Sequence, residues 1–353
     1  MSQAKTPDAG PDFRSDNVGA AAPEIISALA RANSDTATGY GGDSWSQALQ
    51  ARFGELFEAK VWVFPVATGT AANALSMAAI TPSWGAAFCH ERAHILTSEV
   101  NATGFFSGGG LLVPVAGPYG KIDPAALDSA VGAQGKGMMH RSQPASVNLV
   151  QASDLGAVYG VDEVRAVTAV ARRHGLKVHM DGARFANAVA HLGCAPADLT
   201  SRAGVDILSF GMTKNGGLLC DAIVVFDEAI AGTIRWQIRR AGHVWSKGRF
   251  AAAQLLAYVE DDLWLRNARR SNALATRFDT GLRAIPGVGL WAPIQANEIF
   301  LRADAAVMDR LERSGIRFVR RAPDMARFVC RFDGTEADID ALLAALRQAV
   351  ADA

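Results

Sequence analysis

This chain has no apolar run approaching the ~20 residues that a membrane-crossing helix needs. It has no excess of charge of either sign, since Lys plus Arg and Asp plus Glu number 35 each. Without a basic face, nucleic acid is not an expected partner. Cysteine is scarce: Cys89, Cys194, Cys220 and Cys330 stand apart, with no C-x-x-C spacing. That pattern argues against a disulfide framework and for free thiols, mostly buried, in a reducing compartment. No basic stretch leads into an apolar one near the first residue, so no secretory signal is expected and the protein reads as soluble and cytoplasmic. Internal repeats and low-complexity stretches are also missing.

What remains is 353 residues, half of them hydrophobic, enough for more than one domain at ~100–200 residues each. Residues 1–14, rich in Pro, Asp and Gly at their start, read as a disordered tail. From about 60 to 226 apolar strands alternate with helices. The strands are Val61–Pro65, Leu111–Val115, Ser146–Val150, Lys177–Asp181, Val205–Phe210 and Ala222–Phe226. Helices are expected over Thr70–Ile80 and from Asp162, as N-cap, to His174. Such alternation predicts an α/β fold, with a mainly parallel sheet covered by helices and ligands bound beyond the carboxyl ends of the strands. Residues 227 to about 283 read as helical. A smaller α+β unit follows, with strands near Asn297–Leu301, Ile316–Arg320 and Arg327–Phe332. Its last helix opens on the capping-box pattern Thr335-Glu-Ala-Asp338. The expected division is a large domain over 15–250 and a small one over 251–353.

Two segments carry the chemistry. In Ser209-Phe-Gly-Met-Thr-Lys-Asn-Gly-Gly217, Lys214 stands at the mouth of a buried strand. Desolvation there favours a free amine, the form a Schiff-base lysine needs. In His179-Met-Asp-Gly-Ala-Arg184, Asp181 ends a second buried strand. A lysine for a Schiff base and an aspartate for a pyridinium nitrogen are what pyridoxal phosphate requires, although Asp181 also suits an N-cap for the helix after it. His179 shares the strand face of Asp181; it suits either a bond to that carboxylate or a satisfied place in the core. Arg184 offers a guanidinium fork for a substrate carboxylate, and Arg327, opening an apolar strand, is a second candidate. Gly69 and Thr70 open a helix after a strand, so their N–H groups can face a phosphate, as at many ordinary strand–helix turns.

Two other motifs compete. His90-Glu-Arg-Ala-His94 matches the H-E-x-x-H of zinc peptidases, which needs both histidines on one helix face. Here it follows the strand-like Ala86–Cys89, so a strand–loop junction is expected instead. Gly287-Val-Gly-Leu-Trp-Ala292 is a near match to a dinucleotide fingerprint, but Pro293 follows and no helix opens.

With these residues in place, the chain resembles the low-specificity L-threonine aldolases, aminotransferase-like (fold type I) pyridoxal-phosphate enzymes. The resemblance runs from Phe13 to the C-terminus. It rests on Phe13-Arg-Ser-Asp16, Gly39-Tyr-Gly-Gly-Asp43, Ala67–Asn73, Ala93-His94-Ile95, Glu99, His179–Arg184, Thr213-Lys214 and Arg327. It implies pyridoxal 5'-phosphate on Lys214, with Asp181 at the ring nitrogen and His94 stacked on the ring. Gly69, Thr70, Arg184 and Thr213 join the cofactor set, while Ser15, Arg184 and Arg327 take the substrate carboxylate. The implied reaction is retro-aldol cleavage of a β-hydroxy-α-amino acid to glycine and an aldehyde, with His94 as the candidate base. A β-eliminating lyase or an aminotransferase keeps the cofactor and changes the reaction.

The chain departs from one branch of that family, which has a histidine in a Glu-Asn-Thr-His motif; here Val150-Gln-Ala-Ser-Asp154 stands. Its Arg239–Arg249 segment resembles another branch's basic segment, whose members include enzymes acting on phenylserine. There Lys247 is the residue expected to reach a neighbouring subunit's phosphate, which implies a homodimer or homotetramer with shared sites.

Overall fold

The structure, a computed structural model, describes residues 10–352. Seven strands form the main sheet: β1 (Trp62–Val66), β2 (Gly85–His90), β3 (Leu111–Val115), β4 (Gln143–Val150), β5 (Lys177–Gly182), β6 (Ile207–Phe210) and β7 (Asp221–Val225). Their order is β1-β7-β6-β5-β4-β2-β3. The run from β3 to β6 is parallel throughout. β7 is antiparallel to both neighbours. The connection between Phe210 and Asp221 is too short for a crossover helix, so the chain can only return beside β6 in the opposite sense. The sheet is buried on both faces, and β2, β6 and β7 are accordingly apolar over most of their length.

Helices cover the sheet on both sides. An aromatic cluster of Phe53, Phe57, Phe185, Phe210, Tyr258 and Trp264 sits against one face, all fully buried. Phe185 and Trp264 stack at 6.3 Å. The helix Val161–His174 starts one residue before the expected cap: Gly160, not Asp162, is its N-cap. Glu163 reaches back to accept the Gly160 N–H at 2.7 Å, which fixes the start and leaves Asp162 in the first turn, where the helix dipole favours an acid. Among the described residues no helix is long and apolar enough to cross a membrane.

The smaller sheet holds β8 (Gly289–Leu290), β9 (Glu298–Arg302), β10 (Val319–Ala322) and β11 (Met325–Val329), in the order β10-β11-β9-β8. The last helix, Glu336–Ala351, opens on Thr335 and Asp338 with the reciprocal capping bonds its sequence predicts. The two cores divide within the helix Leu263–Leu282: Ala251 to Ala268 pack with the large sheet, and Leu274 onward with the small one. The apolar stripe of residues 251–268 therefore serves the large core, although the sequence places it past the expected boundary at 250.

The N-terminal tail also needs correcting. Residues 1–9 lie outside the described residues, but 10–14 are built into the small unit. Phe13 N–H donates to Arg317 O at 2.7 Å, and Val329 N–H donates to Phe13 O at 2.8 Å. The Phe13 ring is buried edge-on to Phe328 at 6.2 Å. A single aromatic residue in a polar stretch is too weak a signal to place the segment beside β11. Phe13→Ala is expected to cost about 3–5 kcal/mol, as deletion of a buried ring does. Chemical denaturation checks this, and a loss below about 1 kcal/mol would mean that the segment is not part of the fold.

Candidate active site

The carboxyl ends of β2, β4, β5 and β6 lie along one edge of the sheet, where the loops that follow them meet. Asp181 pairs with Ser209 in register, so the Asp181 end of β5 and the loop leading from β6 to Lys214 are neighbours. Two glycines let them approach. A Cβ on Gly182 would lie 2.6 Å from Ser209 O, and one on Gly211 would lie 2.6 Å from Ala183 O.

Lys214 sits in a short 3-10 turn, Thr213–Asn215. Asp221, at the start of β7, holds that turn by accepting the N–H groups of Met212 at 2.7 Å and Thr213 at 3.0 Å. Burial pushes the Asp221 carboxyl up, against those bonds and the nearby Lys214. Asn215 anchors the turn from the far side, donating to Tyr258 Oη and Trp264 O. The Thr213 hydroxyl donates to Cys220 O. Sequence reasoning missed Asp221; its signal was an acid opening an otherwise apolar strand.

Asp181 is not an N-cap, because Arg184 holds that position for the helix Phe185–Leu192. One Asp181 oxygen accepts the Ala183 N–H at 3.0 Å and the other accepts Asn73 Nδ2 at 2.8 Å. Asn73 Nδ2 also donates to Glu99 Oε1 at 2.9 Å, and Glu99 Oε1 meets His94 Nδ1 at 2.7 Å. A hydrogen-bonded chain thus runs Asp181–Asn73–Glu99–His94. Glu99 is wholly buried while His94 is 40% exposed. The Glu99 contact raises the His94 pKa, burial opposes it, and Asp181 adds to it while Lys214 counters. Asn73 was missed as a site residue, yet it is a lone amide in an Ala-rich helix.

His179 is a satisfied core residue and does not bond Asp181. Its ring nitrogens meet Asn148 Nδ2 at 2.8 Å and Ser209 Oγ at 2.9 Å, and burial lowers its pKa to about 4.

Arg184 does not present a free fork. One terminal nitrogen pairs with Asp16 at 2.6 Å and the other with Glu298 at 2.8 Å. Burial works against its charge, but those two carboxylates more than offset it. Arg327 touches the other Glu298 oxygen at 3.6 Å and donates to Arg14 O at 2.9 Å. Burial lowers the Arg327 pKa. Glu298 therefore bridges the two guanidiniums. Ser15 caps the turn Asp16–Val18, its hydroxyl accepting the Asn17 N–H at 3.2 Å. That turn lies against the Lys214 turn.

At the head of the helix Gly69–Ile80, Thr68 caps the Ala71 N–H. The N–H groups of Gly69 and Thr70 carry no hydrogen bond among the described residues, as expected of a first helical turn that faces an anion. The Ala67 N–H donates to His243 Nδ1 at 3.2 Å, so the basic loop packs on this turn through His243, a residue the sequence did not single out. Lys247 lies exposed on the same loop.

His90 ends β2 and His94 begins the separate short helix His94–Thr97. No one helix carries both histidines, so the H-E-x-x-H match lacks the geometry zinc binding needs. His90 Nε2 instead meets Gly117 O at 3.1 Å.

The sequence profile of the beta-eliminating lyase family matches residues 12–306. A low specificity L-threonine aldolase of Pseudomonas sp. (strain NCIMB 10558) is 38% identical over 341 residues, 96% of this chain and 98% of the relative. A protein of the same name from Pseudomonas aeruginosa is 40% identical over 323 residues, covering 91% and 92%. In structure, a threonine aldolase of Leishmania major superposes with a TM-score of 0.88 at 24% identity, covering 96% of this chain and 99% of that one. An aspartate aminotransferase of Rhodobacter sphaeroides superposes with a TM-score of 0.71 at 18% identity, covering 99% and 93%. The last two likenesses bear on the fold.

Glu99→Gln is expected to let the His94 pKa fall, since the buried carboxylate that raises it is gone. An NMR titration of the His94 ring checks this, and an unmoved midpoint would show that Glu99 does not set it.

Proposed function

The chain belongs to the beta-eliminating lyase family, and on that premise we propose that it is a low-specificity L-threonine aldolase using pyridoxal 5'-phosphate. Its substrates are L-threonine, L-allo-threonine and related β-hydroxy-α-amino acids, phenylserine among them, cleaved to glycine and an aldehyde. One observation carries the reading: Lys214 and Asp181 lie at the ends of neighbouring strands, with His94 within the electrostatic reach of both.

The donor set fits the cofactor. Lys214 is the amine that would hold it, Asp181 the carboxylate for its ring nitrogen, and His94 the imidazole for its ring face. Gly69 and Thr70 offer N–H groups to its phosphate, next to Thr213 on the Lys214 turn. When bound, the cofactor supplies an electron sink for the bond that breaks at the substrate Cα. The chain of bonds through Asn73 orients Asp181 and leaves its charge to face the ring nitrogen. Arg184 and Arg327, held in place by Asp16 and Glu298, are the guanidiniums proposed to meet the substrate carboxylate, beside the Ser15 hydroxyl. Fixing that carboxylate chooses which Cα bond stands perpendicular to the ring, and so favours carbon–carbon cleavage. The exposed Lys247 suits contact with a neighbouring subunit in a homodimer or homotetramer.

The purified protein is expected to absorb as a yellow species, with a new band at longer wavelength when glycine is added. A protein that stays colourless after added pyridoxal phosphate would sink the reading. Lys214→Ala is expected to lose turnover and keep some cofactor binding, and parental production of glycine from threonine in that variant would refute the assignment. Asp181→Asn is expected to lower kcat by more than about tenfold, because a neutral pyridine is a poorer sink.

A further inference from the structure

The site holds a carboxylate that has no part in the scheme above. Asp154 lies in the tight turn after β4. Ser153 N–H donates to Ala157 O at 2.8 Å and Gly156 N–H donates to Ser153 O at 2.8 Å. The Ser153 hydroxyl donates to Tyr119 O at 2.7 Å and accepts from Ala157 N–H at 3.2 Å. On one side the turn is wedged against β9, for a Cβ on Gly156 would lie 2.9 Å from Glu298 O. On the other, Val150 pairs with Asp181 and the Gln151 N–H donates to Asp181 O at 2.8 Å. The turn thus joins the Asp181 end of the site to the Arg184–Glu298–Arg327 cluster.

Asp16, Glu99, Asp181, Asp221 and Glu298 each have a hydrogen-bond or ion-pair partner. Asp154, half-buried, has neither among the described residues. It is surrounded instead by charge at a distance: Asp181 of β5, Glu298 of β9, His94 at the head of its short helix and Arg184 at the cap of Phe185–Leu192. Cys89 of β2 and Tyr159 lie in its field as well. Burial first, then Asp181 and Glu298, push its carboxyl up to about 7, against His94 and Arg184. A base works best when its pKa is near the working pH. His94 is the poorer acceptor, because the Glu99 contact biases it toward the charged form.

We propose that Asp154, rather than His94, takes the proton of the substrate's β-hydroxyl, an inference that rests on the aldolase reading. The O–H proton passes to the Asp154 carboxylate, and the O–H electron pair becomes the second bond of the aldehyde carbonyl. The Cα–Cβ pair stays on Cα, and the proton gained by Asp154 balances the one glycine takes up there.

Asp154→Asn tests this in two ways. In the substrate-free full chain, burial and then Asp181 and Glu298 push the Asp154 carboxyl up from its ordinary value of 3.8 to about 7. The folded form then holds a proton that the unfolded form has lost, so the parent loses stability as pH rises through that window and the variant does not. The variant should therefore match the parent near about pH 4 and gain on it up to about pH 8. A difference that does not change with pH overturns the placement of an isolated carboxyl. In the loaded enzyme, kcat/KM for L-threonine should fall about a hundredfold or more. Glycine has no β-hydroxyl, so its affinity by spectral titration should stay within about threefold, and Asp154→Glu should recover part of the rate. A fall in kcat/KM of less than about tenfold, or an equal loss of glycine affinity, overturns the role. A parent that makes no glycine from threonine removes the aldolase reading and the proposal with it, a failure visible before any variant is made.

Discussion

The Glu99 side chain is wholly shielded from water, and a carboxylate in such a place needs partners or takes up a proton instead. Breaking a buried pair typically costs ~3–5 kcal/mol. Here the partners are the His94 ring and the Asn73 amide, and the same amide nitrogen holds Asp181. One buried charge thus ties three elements together: the helix after β1, the short helix after β2 and the end of β5. Loosening it would free the imidazole and the carboxylate that the proposed chemistry needs at fixed positions.

A second balance of charge joins the two sheets. Asp16 from the N-terminal segment, Arg184 from the turn after β5, and Glu298 and Arg327 from the small sheet alternate in sign. Each arginine is set in place by these carboxylates, which lowers the ordering cost of the substrate binding proposed for it. Asp154 lies in the field of this cluster with no hydrogen-bond or ion-pair partner among the described residues, and burial, then Asp181 and Glu298, push its carboxyl up.

The periodic features were legible in the sequence. Strand–helix alternation gave the sheet, the Thr335 capping box gave the last helix, and the strand-like Ala86–Cys89 placed His90 and His94 on different elements. Cys89, Cys220 and Cys330 lie buried as free thiols and Cys194 is half-buried. The place of Phe13 was not legible, since its backbone partners Arg317 and Val329 come from about three hundred residues downstream. Nor was the antiparallel sense of β7, which follows from how little chain connects it to β6. The core role of His179 depended on Asn148 and Ser209, which reach it from the two flanking strands.

What the sequence determined by itself is local: which segments are strands, where a lysine and an aspartate end two of them, and which residue types stand ready for a pyridine ring and a carboxylate. These follow from spacing along one chain and from intrinsic chemistry. Tertiary structure alone decided the partners. It gave Asn73 both Asp181 and Glu99, occupied the Arg184 fork with Asp16 and Glu298, brought His243 to the turn at Ala67, and left Asp154 without a hydrogen-bond or ion-pair partner among the described residues. The physical reason is that a side chain's charge state and freedom depend on what lies within a few ångströms of it, and here those neighbours come from distant parts of the chain.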